Sequence, residues 1–398
     1  MLTDLAFALV GGKQDIRIIT SRMAYDDPAA RFSAHENVNG VRVSRVWTTR
    51  FGRKSLWGRA LDYFSFYLSA TWRLAAIISH GDIVVAKTDP PLISVPAAAV
   101  AKFKGATLIN WIQDLFPEVA CVLKIKGMII VSPVLRRLRN FSLRFARANV
   151  VLGRRMAQRV IAQGVRQETV TVIHNWADGS DIMPIPREQN RLRQEWGLRD
   201  ELVVGYSGNM GRAHDFTTLV EAASLLNHDR RIVFLFVGDG AKRGWVEHEV
   251  KKRGLNNVIF KPYQPRDRLG QSLCVPDIHA ISLQPELEGL IVPSKFYGVA
   301  AAGRPTLFIG DPAGEIAGIL SAGGCGVSVR VGDADAVVRN LYELLANKET
   351  IVRMGQNARS VFEHSFDKEI AFAAWRRMLS EGVTSQSSEN RMRGIQRE

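Results

Sequence analysis

Apolar residues follow two recurring patterns along this chain. Short runs rich in Val, Ile and Leu predict strands, and longer segments with an apolar residue every three or four positions predict helices. A helix is predicted first, from Leu2 to Val10, and strands and helices then alternate. In the first half the predicted strands are Asp15–Thr20, Gly40–Trp47, Asp82–Lys87, Ala106–Asp114, Asn149–Leu152 and Thr169–Ile173. In the second half they lie near Val203 and at Ile232–Val237, Val258–Phe260, Ile278–Leu283, Pro305–Ile309 and Gly326–Val329.

Strands that alternate with helices form doubly wound parallel sheets, and this chain has enough of them for two. Its 398 residues are also too many for one core. The pattern predicts an α/β protein with two Rossmann-like domains that face each other across a cleft. The predicted boundaries are 1–175 for the first domain, 176–190 for a linker, 191–364 for the second domain, 365–381 for a C-terminal helix that packs back on the first domain, and 382–398 for a disordered tail.

The first domain opens on a helix, although a doubly wound sheet opens with a strand and a loop that faces the cleft. We therefore expect that a strand and a long loop, about 20 to 30 residues, are missing ahead of Leu2. The chain as given should then be unstable or inactive.

Composition narrows the class of protein. With 46% hydrophobic and 23% charged residues the chain is globular, and no apolar run reaches the roughly 18 residues of a membrane span. The start of the chain lacks the basic flank of a secretory signal. Its three cysteines, Cys121, Cys274 and Cys325, have no paired spacing, which favours a reducing compartment without disulfides or zinc.

The positive charge is concentrated in the first half. Met1 to Pro186 holds 25 Lys and Arg against 13 Asp and Glu, whereas the remainder holds 28 against 26. This asymmetry predicts an anionic partner, either nucleic acid or phospholipid headgroups. Nucleic acid is disfavoured because no binding module is recognised.

One helical segment of the first half fits a membrane surface. The segment Leu56–Ser79 is aromatic with basic edges, and such helices lie at interfaces. A further predicted helix, about Val134–Ala148, carries a stripe of arginines. The alternative for the aromatic segment is a core helix. The residues concerned are Trp57, Tyr63, Phe64, Phe66, Tyr67 and Trp72 among the aromatics, and Arg50, Arg53, Lys54, Arg59 and Arg73 among the cations.

The stretch VVGYSGNMGRAHDF, from Val203 to Phe216, has the pattern of an anion site. Gly208 and Gly211 allow a tight turn after a buried strand, and Asp215 is expected to cap the next helix. Backbone N–H groups and a helix dipole at such a turn bind phosphate, and Arg212 and His214 add donors. The alternative is an ordinary strand-to-helix loop.

A second informative stretch runs from Gln284 to Pro305, QPELEGLIVPSKFYGVAAAGRP. Pro293 is expected to start a helix whose first N–H groups face the same cleft. Lys295 would then stand in the first turn, where a cation opposes the helix dipole, and this favours a ligand-binding role. The alternative is a lysine that faces solvent.

Taken together, these stretches resemble the retaining glycosyltransferases of family 4, which have the GT-B fold, and in particular the branch that builds O-antigen, capsule and exopolysaccharide. The resemblance covers Leu2 to about Arg377. It is carried by SGNMGRAHDF, LEGLIVPSKFYGVAAAGRP, VGDG (Val237–Gly240), KPYQP (Lys261–Pro265), NWIQDLFPE (Asn110–Glu118) and VIHNWAD (Val172–Asp178).

The resemblance implies transfer of a hexose from a nucleotide diphosphate sugar with retention of anomeric configuration and without a required metal or other cofactor. Arg212 and Lys295 match the positions that neutralise the leaving diphosphate. The other residues expected to bind the donor are Gly208, Asn209, Gly211, His214, Gly238, Tyr263 beside the base, and Ser294.

Several positions differ from the pattern of that family. Glu288 matches the first acid of its paired-Glu motif and is expected near the transferred sugar, but the second acid, which holds the ribose, is Gly298 here. Glu315 is a candidate substitute. A histidine common near the sugar is Gln113, which leaves Asp114 and Glu118 to contact donor or acceptor hydroxyls; Asp114 alternatively caps a turn. Asn175 and Asp178 are expected at the hinge.

The leading hypothesis is a cytoplasmic transferase, peripheral on the anionic inner face of the cell membrane, that acts on a polyprenyl-linked or growing saccharide acceptor. It accounts for both halves of the charge distribution. A non-catalytic nucleotide-sugar-binding homologue is the first alternative, and a GT-B nucleotide-sugar epimerase is the second.

Overall fold

The computed structural model describes residues 1–11, 14–23, 32–51 and 56–380, with the side chains of residues 56, 57 and 59 excepted. The predicted tail at 382–398, Arg53 and Lys54, and the side chains of Trp57 and Arg59 therefore lie outside the described residues.

The first half alternates strands and helices as the apolar pattern predicts. Its strands are β1 (Arg17–Ser21), β2 (His35–Val38), β3 (Val41–Val46), β4 (Ile83–Lys87), β5 (Thr107–Trp111), β6 (Ala148–Val151) and β7 (Val170–Val172). Its helices are α1 (Leu2–Leu9), α2 (Leu56–Ile77), α3 (Ser94–Lys104), α4 (Glu118–Val122), α5 (Met128–Phe145) and α6 (Arg154–Ile161).

The strands of the first half form two separate sheets among the described residues. One is parallel, with the order β4-β5-β6-β7, and the other has the order β1-β3-β2, in which β2 is antiparallel to β3. The apolar pattern predicts no strand between Thr20 and Gly40, where β2 lies. The Asn39-Gly40 turn, with φ of 49° and 86°, joins β2 to β3, and Asn-Gly is a hairpin signal. A strand ahead of Leu2 remains a prediction.

The second half forms one parallel sheet flanked by helices. Its strands are β8 (Leu202–Ser207), β9 (Ile232–Val237), β10 (Val258–Lys261), β11 (Ile278–Ser282), β12 (Thr306–Ile309) and β13 (Gly326–Val329). Its helices are α7 (Arg191–Glu195), α8 (Thr217–Leu225), α9 (Arg243–Lys252), α10 (Leu269–Leu273), α11 (Lys295–Ala301), α12 (Glu315–Gly323), α13 (Ala334–Ala346) and α14 (Lys348–Ser365).

The strand order of this sheet, β10-β9-β8-β11-β12-β13, locates its ligand crevice. From β8 the chain runs outward through β9 to β10 and then returns to the other side of β8 with β11. Open α/β sheets bind ligands at such a reversal, outside the carboxyl ends of the strands. The loops that follow β8 and β11 are therefore the expected walls of the site.

A last helix, α15 (368–380), packs on the first domain. Its Trp375 contacts Trp111 of β5 with ring centroids 5.1 Å apart, and Trp176 stacks on the same indole at 5.7 Å. The chain thus crosses back to the domain in which it began. None of the described helices is both long and apolar enough to cross a lipid bilayer.

Candidate active site

The loops after β8 and β9 each require a glycine. Gly208 has a φ of +118°, and a Cβ there would lie 3.0 Å from Cε of Lys295. Gly238, at the end of β9, has a φ of +130°, and its Cβ would lie 2.3 Å from the Gly208 carbonyl oxygen. Any side chain would separate the two loops or displace the lysine. Both glycines are among the residues predicted to bind the donor, and they lie side by side.

Lys295 lies over this loop in contact with His214. Its Nζ is 2.8 Å from Nε2 of His214. Nδ1 of His214 lies 2.5 Å from the carbonyl oxygen of Ser282, at the end of β11. Because a carbonyl only accepts, Nδ1 carries the proton, and Nε2 is left to accept from the lysine. The ring of Tyr206 lies 5.2 Å from the same ammonium group.

The surroundings keep Lys295 charged and His214 neutral at neutral pH. Burial lowers the pKa of Lys295 to about 8. Burial and the neighbouring Lys295 lower the pKa of His214 to about 4. Among the described residues no carboxylate forms an ion pair with Lys295, so this cation is available to an anion at the carboxyl end of β8.

Hydrogen bonds join the two informative stretches. The backbone N–H of Gln284 donates to the Ala213 carbonyl at 3.0 Å, and its side chain donates to the Arg212 carbonyl at 2.9 Å. The Arg212 side chain is exposed beside them. Asp215 accepts from the Thr218 N–H at 3.0 Å, as expected of a capping residue, although the N-cap of α8 is Phe216, one residue later than predicted. The loops after β8 and β11 therefore form one wall.

Helix α11 begins at Lys295, two residues later than the predicted start at Pro293. Ser294 is its exposed N-cap residue, and its hydroxyl makes no capping hydrogen bond. At Gly298, where the family pattern has an acid, a Cβ would lie 3.3 Å from a methyl group of Leu273.

The two glutamates of the site bind backbone N–H groups. Glu288 is only 7% exposed, its Oε1 accepts from the Glu315 N–H at 2.8 Å, and burial raises its pKa. The carboxylate of Glu315 in turn accepts from the N–H groups of Arg154 and Arg155, at 3.0 and 2.8 Å. These two residues begin α6 in the first domain, so Glu288, Glu315 and the start of α6 form an interdomain clasp.

Two further bonds support this clasp, which the sequence analysis did not predict. The Arg159 guanidinium donates to the Glu288 carbonyl at 3.2 Å, and Arg155 donates to the Ala313 carbonyl. A charged carboxylate at a helix N-terminus is stabilised by the free N–H groups and by the helix dipole. Glu315, expected near the ribose, is thus engaged by the opposite domain.

Asp114 lies where the first domain faces the second. The next residue, Leu115, donates its N–H to the Leu290 carbonyl at 2.9 Å. The Asp114 side chain is exposed, and desolvation and the neighbouring Asp89 raise its pKa to about 6. Next to it, Nε2 of Gln113 is buried with no protein partner.

Two other predicted contacts lie on the loops of the second domain. Tyr263 is 54% exposed, and its hydroxyl lies 3.3 Å from the Asp239 carbonyl in the loop after β9. The Asn209 carbonyl accepts from the Tyr206 hydroxyl at 2.9 Å, and a Cβ at Gly211 would lie 3.5 Å from the Asn209 amide. Asn209 therefore lies in the loop at the switch point of the sheet, whereas Tyr263 follows the edge strand β10 and lies beside the loop after β9.

The remaining predicted residues make structural contacts. Arg139, almost fully buried, binds both carboxylate oxygens of Glu118, at 2.6 and 3.1 Å. Asn175 is buried with Oδ1 unpartnered. Asp178 binds Nζ of Lys368 at 2.6 Å, and although desolvation opposes it, this bond and those from Ser180 lower its pKa to about 2. Asp178 thus anchors the start of α15.

The described residues include no group of His, Cys, Asp and Glu side chains with the arrangement of a metal site. Two family models match nearly the whole chain. Residues 1–176 match the glycosyl transferase 4-like domain, and residues 188–361 match the glycosyl transferases group 1.

Curated proteins and a solved structure agree with these matches. The chain is 29% identical to the probable glycosyltransferase WbjE of Pseudomonas aeruginosa, over 81% of each chain. It is 26% identical to the putative colanic acid biosynthesis glycosyl transferase WcaI of Escherichia coli (strain K12), over 89% of each. Anabaena HepE, solved in complex with UDP, has a TM-score of 0.66 at 16% identity, with 86% of each chain covered.

The predicted fold class is therefore confirmed: two α/β domains with parallel sheets have the GT-B arrangement. The chain belongs to the glycosyltransferases that join a glycosyl transferase 4-like domain to a group 1 domain, and it is an enzyme of that type.

Proposed function

We propose that this enzyme transfers a hexose, with retention, from a nucleotide diphosphate sugar to a lipid-linked or growing saccharide acceptor at the inner face of the cell membrane. The product is a surface polysaccharide such as O-antigen, capsule or exopolysaccharide. The names of WbjE and WcaI support the class of reaction, and the UDP complex of HepE supports the class of donor.

The observation that carries the proposal is the position of Lys295. This cation has no carboxylate partner among the described residues. It is held by His214 over Gly208, at the switch point of the parallel sheet in the second domain. Arg212 supplies a second cation on the same wall. In this proposal the two cations bind the diphosphate, and the exposed ring of Tyr263 contacts the base.

Such a site favours the transition state of sugar transfer. As the bond between the anomeric carbon and the leaving oxygen breaks, negative charge grows on the diphosphate. Cations already fixed by the fold stabilise this charge without reorganising. His214 keeps the Lys295 ammonium in place as a neutral acceptor, so it adds no competing charge.

The acceptor approaches from the first domain in this proposal. Asp114, with its raised pKa, accepts a hydrogen bond from an acceptor or donor hydroxyl, and the unpartnered amide of Gln113 donates another. Glu288 remains close to the transferred sugar through its loop, while its carboxylate fixes α12. Ser294 and Gly211 line the phosphate path, and Gly298 leaves ribose recognition to other groups.

The test compares donor binding and transfer in Arg212→Ala with those in Arg339→Ala, an exposed arginine on α13. Arg212→Ala removes a charge-assisted contact worth roughly 1.5 to 3 kcal/mol, so transfer should fall about tenfold or more. UDP should raise the melting temperature of the parent protein more than that of this variant. Arg339→Ala should behave as the parent, and normal kinetics in Arg212→Ala would contradict the assignment.

The same experiment separates the alternatives. NMR of the product gives the anomeric configuration, and inversion would refute retention. Binding of nucleotide sugar without transfer to any acceptor would favour a non-catalytic homologue. Release of an epimerised nucleotide sugar without an acceptor would favour an epimerase.

A further inference from the structure

Helices α2, α3 and α5 form one layer on the first domain. Helix α3 packs against both of the others and against strands β4 and β5. Its alanines face inward: Ala98 and Ala101 are fully buried in a core cluster with Ile78 and Leu108. On α5 the inward side is Ser142 and Leu143. The opposite sides of the helices face away from the domain.

Large apolar side chains cover the outward sides. Because the residues concerned are spaced at helical intervals opposite the buried positions, they form one surface, which we call the helical face. Its exposed apolar residues are Phe64 (60%), Leu68 (58%) and Trp72 (81%) on α2, Phe103 (87%) on α3, and Ile130 (82%), Val134 (58%) and Phe141 (44%) on α5. Large exposed apolar side chains on three neighbouring helices mark an interaction site.

The three helices also carry basic residues. They contain eight Lys and Arg and a single acid, Asp62, although Arg139 is buried against Glu118 and Arg136 pairs with the same carboxylate. The Asp62 carboxylate accepts hydrogen bonds from the Thr49 hydroxyl at 2.7 Å and from the Phe51 N–H at 3.0 Å. On α5, Arg137 and Arg144 alternate with the apolar residues, and together with Asn140, Phe141 and Phe145 they line a groove. Within the described part of the chain Arg137 makes no ion pair.

We infer that the helical face is the surface by which the protein binds an anionic lipid bilayer. Aromatic rings settle at the depth of the headgroups, and the guanidinium groups pair with lipid phosphates. A nucleic acid would use the cations but would gain nothing from apolar side chains that are mostly exposed. The inference rests on the proposed function, because a lipid-linked acceptor lies in the membrane. It assigns membrane contact to the three helices together.

The experiment measures flotation of the full chain with vesicles. Vesicles of phosphatidylcholine with a third phosphatidylglycerol should bind the protein, and vesicles of phosphatidylcholine alone should bind it much less. Binding should weaken as salt shortens the Debye length from about 10 Å at 0.1 M to about 3 Å at 1 M. Equal binding to both vesicles, or none to either, would overturn the inference.

Variants then locate the surface. Each basic residue near an anionic membrane raises the partition coefficient roughly fivefold. The double variant Arg137→Gln with Arg144→Gln should therefore lower the partition coefficient onto anionic vesicles roughly thirtyfold. The matched control, Arg330→Gln with Arg339→Gln in the second domain, should leave partitioning unchanged. Trp72→Ser with Phe103→Ser should also lower it, whereas Val352→Ser, an exposed position on α14, should not. Equal losses in test and control variants would overturn the inference.

Failure of this inference is distinct from failure of the proposed function, because vesicle binding needs neither donor nor acceptor. Intact transfer to a soluble acceptor without vesicle binding would overturn the helical face alone. Vesicle binding without transfer would overturn only the proposed function. Sedimentation of the free protein as a dimer that the Trp72 and Phe103 substitutions dissociate, without vesicle binding, would assign this surface to self-association instead.

Discussion

The substitution Lys295→Met should lower activity and raise stability together. Methionine fills a similar volume but removes the ammonium group that lies over Gly208. In the proposed reaction this removes a charge-assisted contact to the diphosphate worth roughly 1.5 to 3 kcal/mol. Since 1.4 kcal/mol is a factor of ten, kcat/KM for transfer should fall by about ten- to a hundredfold.

The gain in stability follows from the same burial. Lowering the pKa of Lys295 from 10.5 to about 8 means that the fold disfavours the charged form. At about 1.4 kcal/mol per pH unit this costs about 3 kcal/mol at neutral pH. Loss of the hydrogen bond to His214 reduces this gain in the free energy of unfolding by about 1 kcal/mol. The variant should therefore be more stable by about 2 kcal/mol in urea unfolding at pH 7.

The pH dependence has a definite sign. A lysine whose pKa is lowered by folding destabilises the fold fully below about pH 8, and the penalty fades as pH rises towards 10.5. The stability difference between variant and parent should shrink over that range. Lys251→Met, an exposed lysine on α9, is the control and should change neither stability nor kcat/KM. Unchanged transfer kinetics in Lys295→Met, or a loss of stability, would refute the reasoning.

Two further predictions concern the carboxylates. If ionised Asp114 accepts from a substrate hydroxyl, transfer by the parent should fall as pH drops through about 6, and Asp114→Asn should be slow throughout and lack that limb. Parallel pH profiles would contradict this role. Glu315→Gln should weaken the interdomain clasp by roughly 1 to 3 kcal/mol, because an amide nitrogen cannot accept from the start of α6. Small-angle scattering should show a larger radius of gyration for Glu315→Gln than for the control Glu343→Gln, and equal radii would contradict it.

Local apolar patterns were enough to predict most of the elements and the glycine turn after β8. Apolar periodicity is local, so β8 and the glycine turn after it were identifiable from a few neighbouring residues. The alternation of strands and helices likewise determined the class of fold. Strand β2 was missed by the apolar pattern because its residues are mostly polar, although the Asn39-Gly40 turn that follows it is a local hairpin signal.

Which side chains meet depends on tertiary packing. Lys295 and His214 are 81 residues apart in sequence, and Glu315 and Arg155 are 160 apart. Such pairings depend on the order of the strands and on how the two domains close. Apolar periodicity predicts neither. The sequence identified Glu288 and Glu315 as acids of the site, but only packing shows that one fixes α12 and the other binds the opposite domain, because hydrogen-bond partners are chosen by distance in space.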